Sequence, residues 1–584
     1  MDALQEFEIP GPDLLRDSLT TCSDPLTAIA EFQNDNGILL PSLRPMLPLL
    51  DLHMVRRLDF HTSVREELKE HLLKRINDLG RKDVPAAVKA ENDKKLMEML
   101  NKYFPVIRVT TLQPVVMAIL KNLDHVDDKF LKQLTNEKSL YEKCDVVVKR
   151  QIWQQHQGLF GDEVSPLLSQ YIKFKESLLL KHDDVTPAFF HLTPRQRRQN
   201  ETIQQLVQMV GKNVLLYDTV LQFLRTLFLR TKNVHYCTLR VELLMALHDA
   251  EVQDITAMDP CHKFTWCLDA CIREQNIDPK RCRELQGFLD SVRKGQEQVL
   301  GDLSMTLCDH YAVNFLSTFA LKIINHLISS EGQARENTNL HLVLRMLNLG
   351  QHSWEILKSQ NYKEPVLDVG LVTGFIPTLM SLIVDDQVRH LNMKLPPDDR
   401  ESALTIIEHS GPPPDWFVSK ISEDPVPSLL AIYYTFQVCR QRDRQAITRI
   451  LGCLTSSFES KAYDNPFLHV LVSHLIPMAE ELTSEEFCTI VLDDFFMSGL
   501  MFKNTAHHLM KLVMHALKFI PGSRTEAIMK TIKSCSLENE MSQTLRIELQ
   551  DRIAQLMLDD SLQPEETGKP SDEFPILVPT PSHS

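Results

Sequence analysis

Apolar residues recur at steps of three, four and seven along most of this chain, and that spacing constrains its fold more than any other feature. Side chains so spaced share one stripe of a 3.6-residue helix, whereas a half-buried strand needs strict alternation. Leu285, Phe288, Leu289, Val292, Val299, Leu300 and Leu303 form one series. Others are Ile203, Leu206, Val207 and Val210; Leu340, Val343, Leu344 and Leu347; and Leu509, Leu512, Val513, Leu517 and Ile520. The nearest approach to alternation, Val106 to Met117, is interrupted by Pro114, which cannot donate to a strand ladder.

Asp, Ser or Thr followed by proline punctuates these stripes, at Asp24-Pro25, Ser165-Pro166, Thr186-Pro187, Asp259-Pro260, Asp278-Pro279 and Asp424-Pro425. Each predicts a helix start: the side-chain oxygen caps a free backbone N–H, and proline fits the first turn, where its missing N–H costs nothing. Only 18 of 584 residues are glycine, which argues against tight hairpins and phosphate loops. Helix after helix with short connections predicts an all-α fold, a HEAT- or armadillo-like helical repeat array of degenerate units of roughly 40 residues.

The stripes and breaks suggest an N-terminal helical region over 1–190, a central one over 191–393, a linker-like segment at 394–416, a C-terminal helical region over 417–560, and a proline-rich, disordered tail at 561–584. A further break is expected between Gly80 and Lys95.

A formal net charge of −15 makes nonspecific binding of nucleic acid by the whole surface unfavourable, so any such contact must be local. The 12 cysteines are scattered from Cys22 to Cys535 rather than densely spaced, which suits unpaired thiols in a reducing compartment. The acidic start MDALQEFEIPGPDLL does not resemble a signal peptide. The most apolar stretch, Val214 to Leu229, carries Asp218, Gln222 and Arg225 and reads as a helix buried on most sides, with no membrane span.

No phosphate-loop, dinucleotide, zinc-protease or nucleophile-elbow motif stands in the sequence, and no cofactor or catalytic residue is expected. Asp127-Asp128, Asp385-Asp386 and Asp493-Asp494 lack spaced oxygen ligands and read as helix-end or solvated charge. His507, His508 and His515 read as surface or half-buried side chains, and Cys237, two residues after His235, as a packing thiol. In DPCHKFTWCLDACIRE, residues 259–274, a cap at Asp259 places Phe264, Cys267, Leu268, Cys271 and Ile272 on one apolar face. Along such a helix only Cys267 and Cys271 could share a zinc ion, with ligands from elsewhere, so core packing is the favoured role and no metal is assigned.

Between Arg195 and Arg240 the basic residues Arg195, Arg197, Arg198, Lys212, Arg225, Arg230, Lys232 and Arg240 face only Glu201 and Asp218, a local balance of +6. This segment is the candidate contact for RNA or an acidic partner.

LLPSLRPMLPLLDLH (Leu39 to His53), LQPVVM (Leu112 to Met117), VKRQIWQQHQGLFGDEVSPLL (Val148 to Leu168), Met209 to Asp249, the cysteine motif, and RELQGFLDSVRKGQEQVLGDLSM (Arg283 to Met305) resemble the negative elongation factor B family. The resemblance implies a nuclear, non-enzymatic helical-repeat scaffold in a four-protein repressor of transcription that holds RNA polymerase II paused near promoters. It implies direct contacts with the C/D and E subunits of the negative elongation factor complex, with the A-type component reached through the assembly. Nascent RNA is implied as a further contact of the whole complex, and no membrane. The alternative reading is a single-stranded RNA-binding helical-repeat protein using residues 195–240.

Overall fold

A computed structural model describes residues 57–367 and 424–562, apart from residues 82, 184, 296, 330–336 and 458, together with the isolated positions 27, 31 and 34. Among these residues every regular element is helical and no strand occurs. The fold is an all-α helical-repeat array, as the apolar periodicity predicts. The Asp385-Asp386 pair, the linker-like segment at 394–416, Asp24-Pro25, Leu39 to His53 and all but the first two residues of the 561–584 tail lie outside the described residues.

The chain divides into two compact units. The first, Met1–Val164 with Gln208–Thr219, contains helices α1 (Arg57–Leu79), α2 (Ala86–Tyr103), α3 (Gln113–Asn122), α4 (Asp128–Asn136), α5 (Lys138–Lys143) and α6 (Val146–Gln155), and the first part of α7 (Gln157–Leu179). The expected break after Gly80 is confined to the residues between α1 and α2. Pro114, which disqualified a strand, occupies the first turn of α3, where its lack of an N–H is harmless. Leu96, Leu100, Phe104, Ile119, Leu120 and Ile152 build a buried core, and Trp153 Nε1 donates to Tyr141 Oη at 2.8 Å, so the one polar atom of that indole is satisfied inside it. Asp128 lies in the first turn of α4, where a carboxylate complements the helix dipole.

The second unit, Ser165–Val207 with Val220–Ser584, holds the rest of α7, α8 (Ala188–His191), α9 (Pro194–Arg198), the parts of α10 (Glu201–Val210) and α11 (Val214–Thr231) outside Gln208–Thr219, α12 (His235–Asp249), α13 (His262–Glu274), α14 (Pro279–Gly295), α15 (Glu297–Cys308), α16 (His310–Ser329), α17 (Thr338–Gln351) and α18 (Ser353–Ser359). Beyond the undescribed stretch it resumes with α19 (Pro425–Gln441), α20 (Arg444–Ser457), α21 (Asn465–Leu475), α22 (Thr505–Ala516), α23 (Gly522–Ser534) and α24 (Glu540–Leu562). Helices close in sequence pack on one another: α15 and α16 on α17, α19 on α21, α21 on α22, and α22 on α24. None of the described helices is long and apolar enough to cross a membrane.

Local contacts do not account for the whole unit. The connection after α7 reaches the late helices, where Lys511 Nζ donates to the Lys181 carbonyl at 2.8 Å and the Phe189 N–H meets His469 Nε2 at 3.4 Å. The array is therefore tied across more than 300 residues of sequence.

The capping expectations divide cleanly. Asp278 accepts from the Lys280 and Arg281 N–H groups at 2.8 and 2.9 Å, and Asp424 from Val426 at 3.0 Å, each followed by proline at the first helical position. Ser165-Pro166 is a correction: Pro166 sits inside α7, which starts at Gln157 and is held by the buried side chains Phe160, Val164, Leu168 and Tyr171 despite the missing backbone donor. Thr186-Pro187 precedes only the single turn α8, with Pro187 at the cap position. Asp259 accepts from the Cys261 N–H at 2.8 Å, and α13 begins at His262, later than the expected start at Pro260.

Gly350 shows how tightly α17 meets α15: a Cβ built there would lie 2.5 Å from the Leu307 carbonyl oxygen, a backbone atom with little freedom to move. Gly350→Ala is expected to destabilise the larger unit by about 1–3 kcal/mol through overpacking, read as a lower denaturation midpoint. A midpoint equal to that of the parent chain would show that the two helices separate freely.

Candidate interaction site

The basic segment does not form one surface. α9 begins with a capping box in which Thr193 and Gln196 satisfy each other's backbone groups, and this turn sets the register of the arginines that follow. Arg197 is turned into the protein, where its Nε donates to Glu242 Oε1 at 3.0 Å and its guanidinium lies 3.6 Å from the Tyr311 ring centroid. Arg198 is bound to Asp249 at 3.0 Å and to Asp269. Arg225 donates to Asp302 at 2.6 Å, and Arg240, buried, donates to Thr306 Oγ1 at 2.8 Å with Asp259 and Asp302 each 3.9 Å away. Arg195, Lys212, Arg230 and Lys232 are exposed, Lys212 in the first unit and the other three in the second. Within the second unit, half-buried Trp354 receives the Lys232 ammonium 3.9 Å from its ring centroid and that of Lys358 at 4.4 Å.

Glu242 organises the largest of these internal clusters. Tyr171 Oη donates to one carboxylate oxygen at 2.6 Å, and Lys175 Nζ donates to the other at 2.9 Å beside Arg197. Burial holds the Lys175 amine below its usual range while Glu242 works against that shift. His235 and His310 lie alongside with ring centroids 4.9 Å apart.

The cysteine motif packs as the periodicity predicts. Cys261, Phe264, Cys267, Leu268 and Cys271 are buried, while Trp266 points outward and is 49% exposed. Cys267 Sγ lies 3.8 Å from Glu284 Oε2, and burial pushes the Cys261 thiol up to about 12, so that sulfur is an inert packing group. Among the described residues no three or more His, Cys, Asp or Glu side chains gather as a metal-binding group. Cys237 is likewise buried, against Cys308.

The histidines of α22 differ from expectation. His515 is exposed, but His507 and His508 are fully buried, because α22 is covered on nearly every side and even Lys511 is 1% exposed. His507 Nδ1 meets Ser542 Oγ at 3.0 Å, and His508 Nε2 meets Asn465 Oδ1 at 2.6 Å. Periodicity shows a buried stripe but not how far the cover extends around the helix.

These features define an all-α helical-repeat protein whose charged interior fixes its own packing. Residues 110–456 match the family described as Cofactor of BRCA1 (COBRA1). The chain is 57% identical to Negative elongation factor B of Drosophila melanogaster, over 94% of this chain and 92% of that protein. It is 46% identical to the Mus musculus protein of the same name over 99% and 98%, and 44% identical to that of Homo sapiens over 99% of both. The chain belongs to the negative elongation factor B family, and the resemblance read from its sequence stands.

Proposed function

We propose that this chain is a nuclear, non-catalytic scaffold of a negative elongation factor complex, bridging C/D-type and E-type subunits and reaching the A-type component through the assembly. The complex then represses elongation by binding the promoter-proximal paused state of RNA polymerase II better than the moving one, which shifts the population toward pausing. The carrying observation is identity of 44–57% over nearly the whole chain to relatives named Negative elongation factor B. The fold supports it, since stacked helices offer extended faces to several partners at once. Of the basic segment, Arg195, Lys212, Arg230 and Lys232 supply the contacts to an acidic partner or nascent RNA, because Arg197, Arg198, Arg225 and Arg240 already bind carboxylates or hydroxyls of this chain.

Reconstitution tests this reading. The full chain co-expressed with the C/D-, E- and A-type subunits is expected to elute with them as one complex, with cross-links from this chain to both the C/D and E types. Elution of this chain alone under conditions where the other three remain soluble would reject it.

A further inference from the structure

We infer that a groove between α16, α19 and α21 takes a short acidic segment of a partner protein, held by an apolar anchor at its centre. Two cavities of about 260 and 390 Å³ open on the second unit, and both are lined by Phe190, Tyr433 and Phe436, so they are halves of one groove. All three helices contribute earlier residues to one half and later residues to the other: His310 then Lys322, Leu429 then Arg440, Pro466 then His474. The groove therefore follows the helix axes for about 12–18 Å, the rise of the roughly 8 to 12 residues between those pairs. That length suits a short helix or about four to five extended residues.

Its ends are basic in an acidic protein. Lys232 and Lys461 line one half, and Arg440 and Lys322 line the other, where His474 accepts from Arg440 Nε at 3.3 Å as a neutral ring, against Asp464 as the one carboxylate among the lining residues, while the chain as a whole carries −15. Burial brings the Lys461 ammonium down to about 8 while Asp464 and Asp424 work against that shift, so it stays mostly charged at neutral pH and a ligand carboxylate would hold it so more firmly. The middle is apolar and aromatic. An anchor side chain there, flanked by carboxylates at either end, satisfies both features.

The same groove does not suit stacked bases. Phe467 and His474 are two turns apart on α21, about 10.5 Å along its axis. The Phe436 ring lies 5.2 Å from one and 5.8 Å from the other, inclined by 29° and 19°, and so sits stacked between them with its faces covered. Trp354 is covered by Lys232 and Lys358. Base stacking needs open ring faces, whereas an aliphatic or aromatic anchor packs against ring edges.

The inference deepens the scaffold reading and rests on it. The test uses the full chain and a fluorescein-labelled 15-residue peptide with glutamates at both ends and Leu-Phe-Leu at its centre. Binding is expected by polarisation at near-physiological salt, with at least a tenfold loss for the double variant Lys232→Glu/Arg440→Glu, whose two sites are exposed, and for Tyr433→Ala. A lysine-ended peptide is expected to prefer the double variant over the parent. Benzoylphenylalanine at position 433 is expected to cross-link to the peptide. Unchanged affinity in the double variant, equal binding when the centre is Ser-Ser-Ser, displacement by oligouridylate, or cross-links from position 433 to residues 368–423 or 563–584 of the same chain would each overturn the assignment. The probe is read on the isolated chain. Failed binding with successful assembly therefore rejects the groove alone, and failed assembly with a bound probe rejects the scaffold reading alone.

Discussion

Glu242→Ala is expected to cost about 3–5 kcal/mol of stability, enough to unfold much of the larger unit at physiological temperature. The carboxylate is 2% exposed and accepts from Tyr171, Lys175 and Arg197, of which Lys175 is 1% and Arg197 7% exposed. Removing it leaves two buried cations with only Asp309 nearby, a carboxyl that burial raises, and the penalty is that of stranding charge rather than of losing a favourable pair. The rings around Lys175, with centroids of Tyr171, Phe189 and Tyr311 at 5.2, 5.7 and 5.2 Å, soften that penalty without neutralising it. The distinguishing measurement is a double-mutant cycle in urea. Glu242→Gln keeps the volume and is expected to lose most of the 3–5 kcal/mol, while adding Lys175→Met to it is expected to recover part of the loss by removing one stranded charge. Additive single losses, or a Glu242→Gln effect within about 1 kcal/mol of the parent, would mean that water reaches the site and screens it.

That cluster also shows where sequence stops informing. PRQRR, residues 194–198, has the composition of a surface patch, and nothing local reveals that Arg195 faces out while Arg197 faces in. The deciding partners, Glu242, Asp249 and Asp269, are 45, 51 and 71 residues away, and only tertiary packing brings them together. The helical periodicity was legible because it depends on neighbours within two turns, which is why Leu285, Leu289 and Leu303 are buried as expected. Caps were legible where side chain and proline act locally, as at Asp278 and Asp424. At Ser165-Pro166 the local signal misleads, because the helix already begins at Gln157. The groove between α16 and α19 was invisible for the same reason as the arginine partners: its two walls are separated in sequence by more than 100 residues.

Acidification is the second large lever, because several histidines are enclosed in the neutral form. His507 and His508 are 0% exposed, and burial holds His507 down to about 3 and His508 well below the usual range. Their surroundings add only positive or neutral groups: His182 and Lys511 beside His507, His469 and Lys511 beside His508, with Ser542 and Asn465 as hydrogen-bond partners. His235 is 5% exposed and similarly depressed, with His310 and Lys175 opposing its protonation. In the unfolded chain each histidine titrates near 6.5. Below that pH the unfolded state binds protons that the folded state refuses, so stability is intact above about 6.5 and falls as pH drops. For His507 the loss reaches about 2 kcal/mol by pH 5, and the other enclosed imidazoles bring the total to several kcal/mol. Asp309, whose carboxyl burial raises, titrates with the opposite sign, as does Asp464, raised to about 6; Asp464 is exposed, so solvent limits its offset. The thermal midpoint at constant ionic strength is therefore expected to fall steeply between pH 6.5 and 5. Replacing His507 by Asn, whose amide stands where Nδ1 meets Ser542, and His508 by Gln, whose amide reaches the Nε2 position facing Asn465, is expected to flatten that slope. A midpoint that stays level from pH 7.5 to 5, or an unchanged slope in the double variant, would show that these imidazoles accept protons inside the fold.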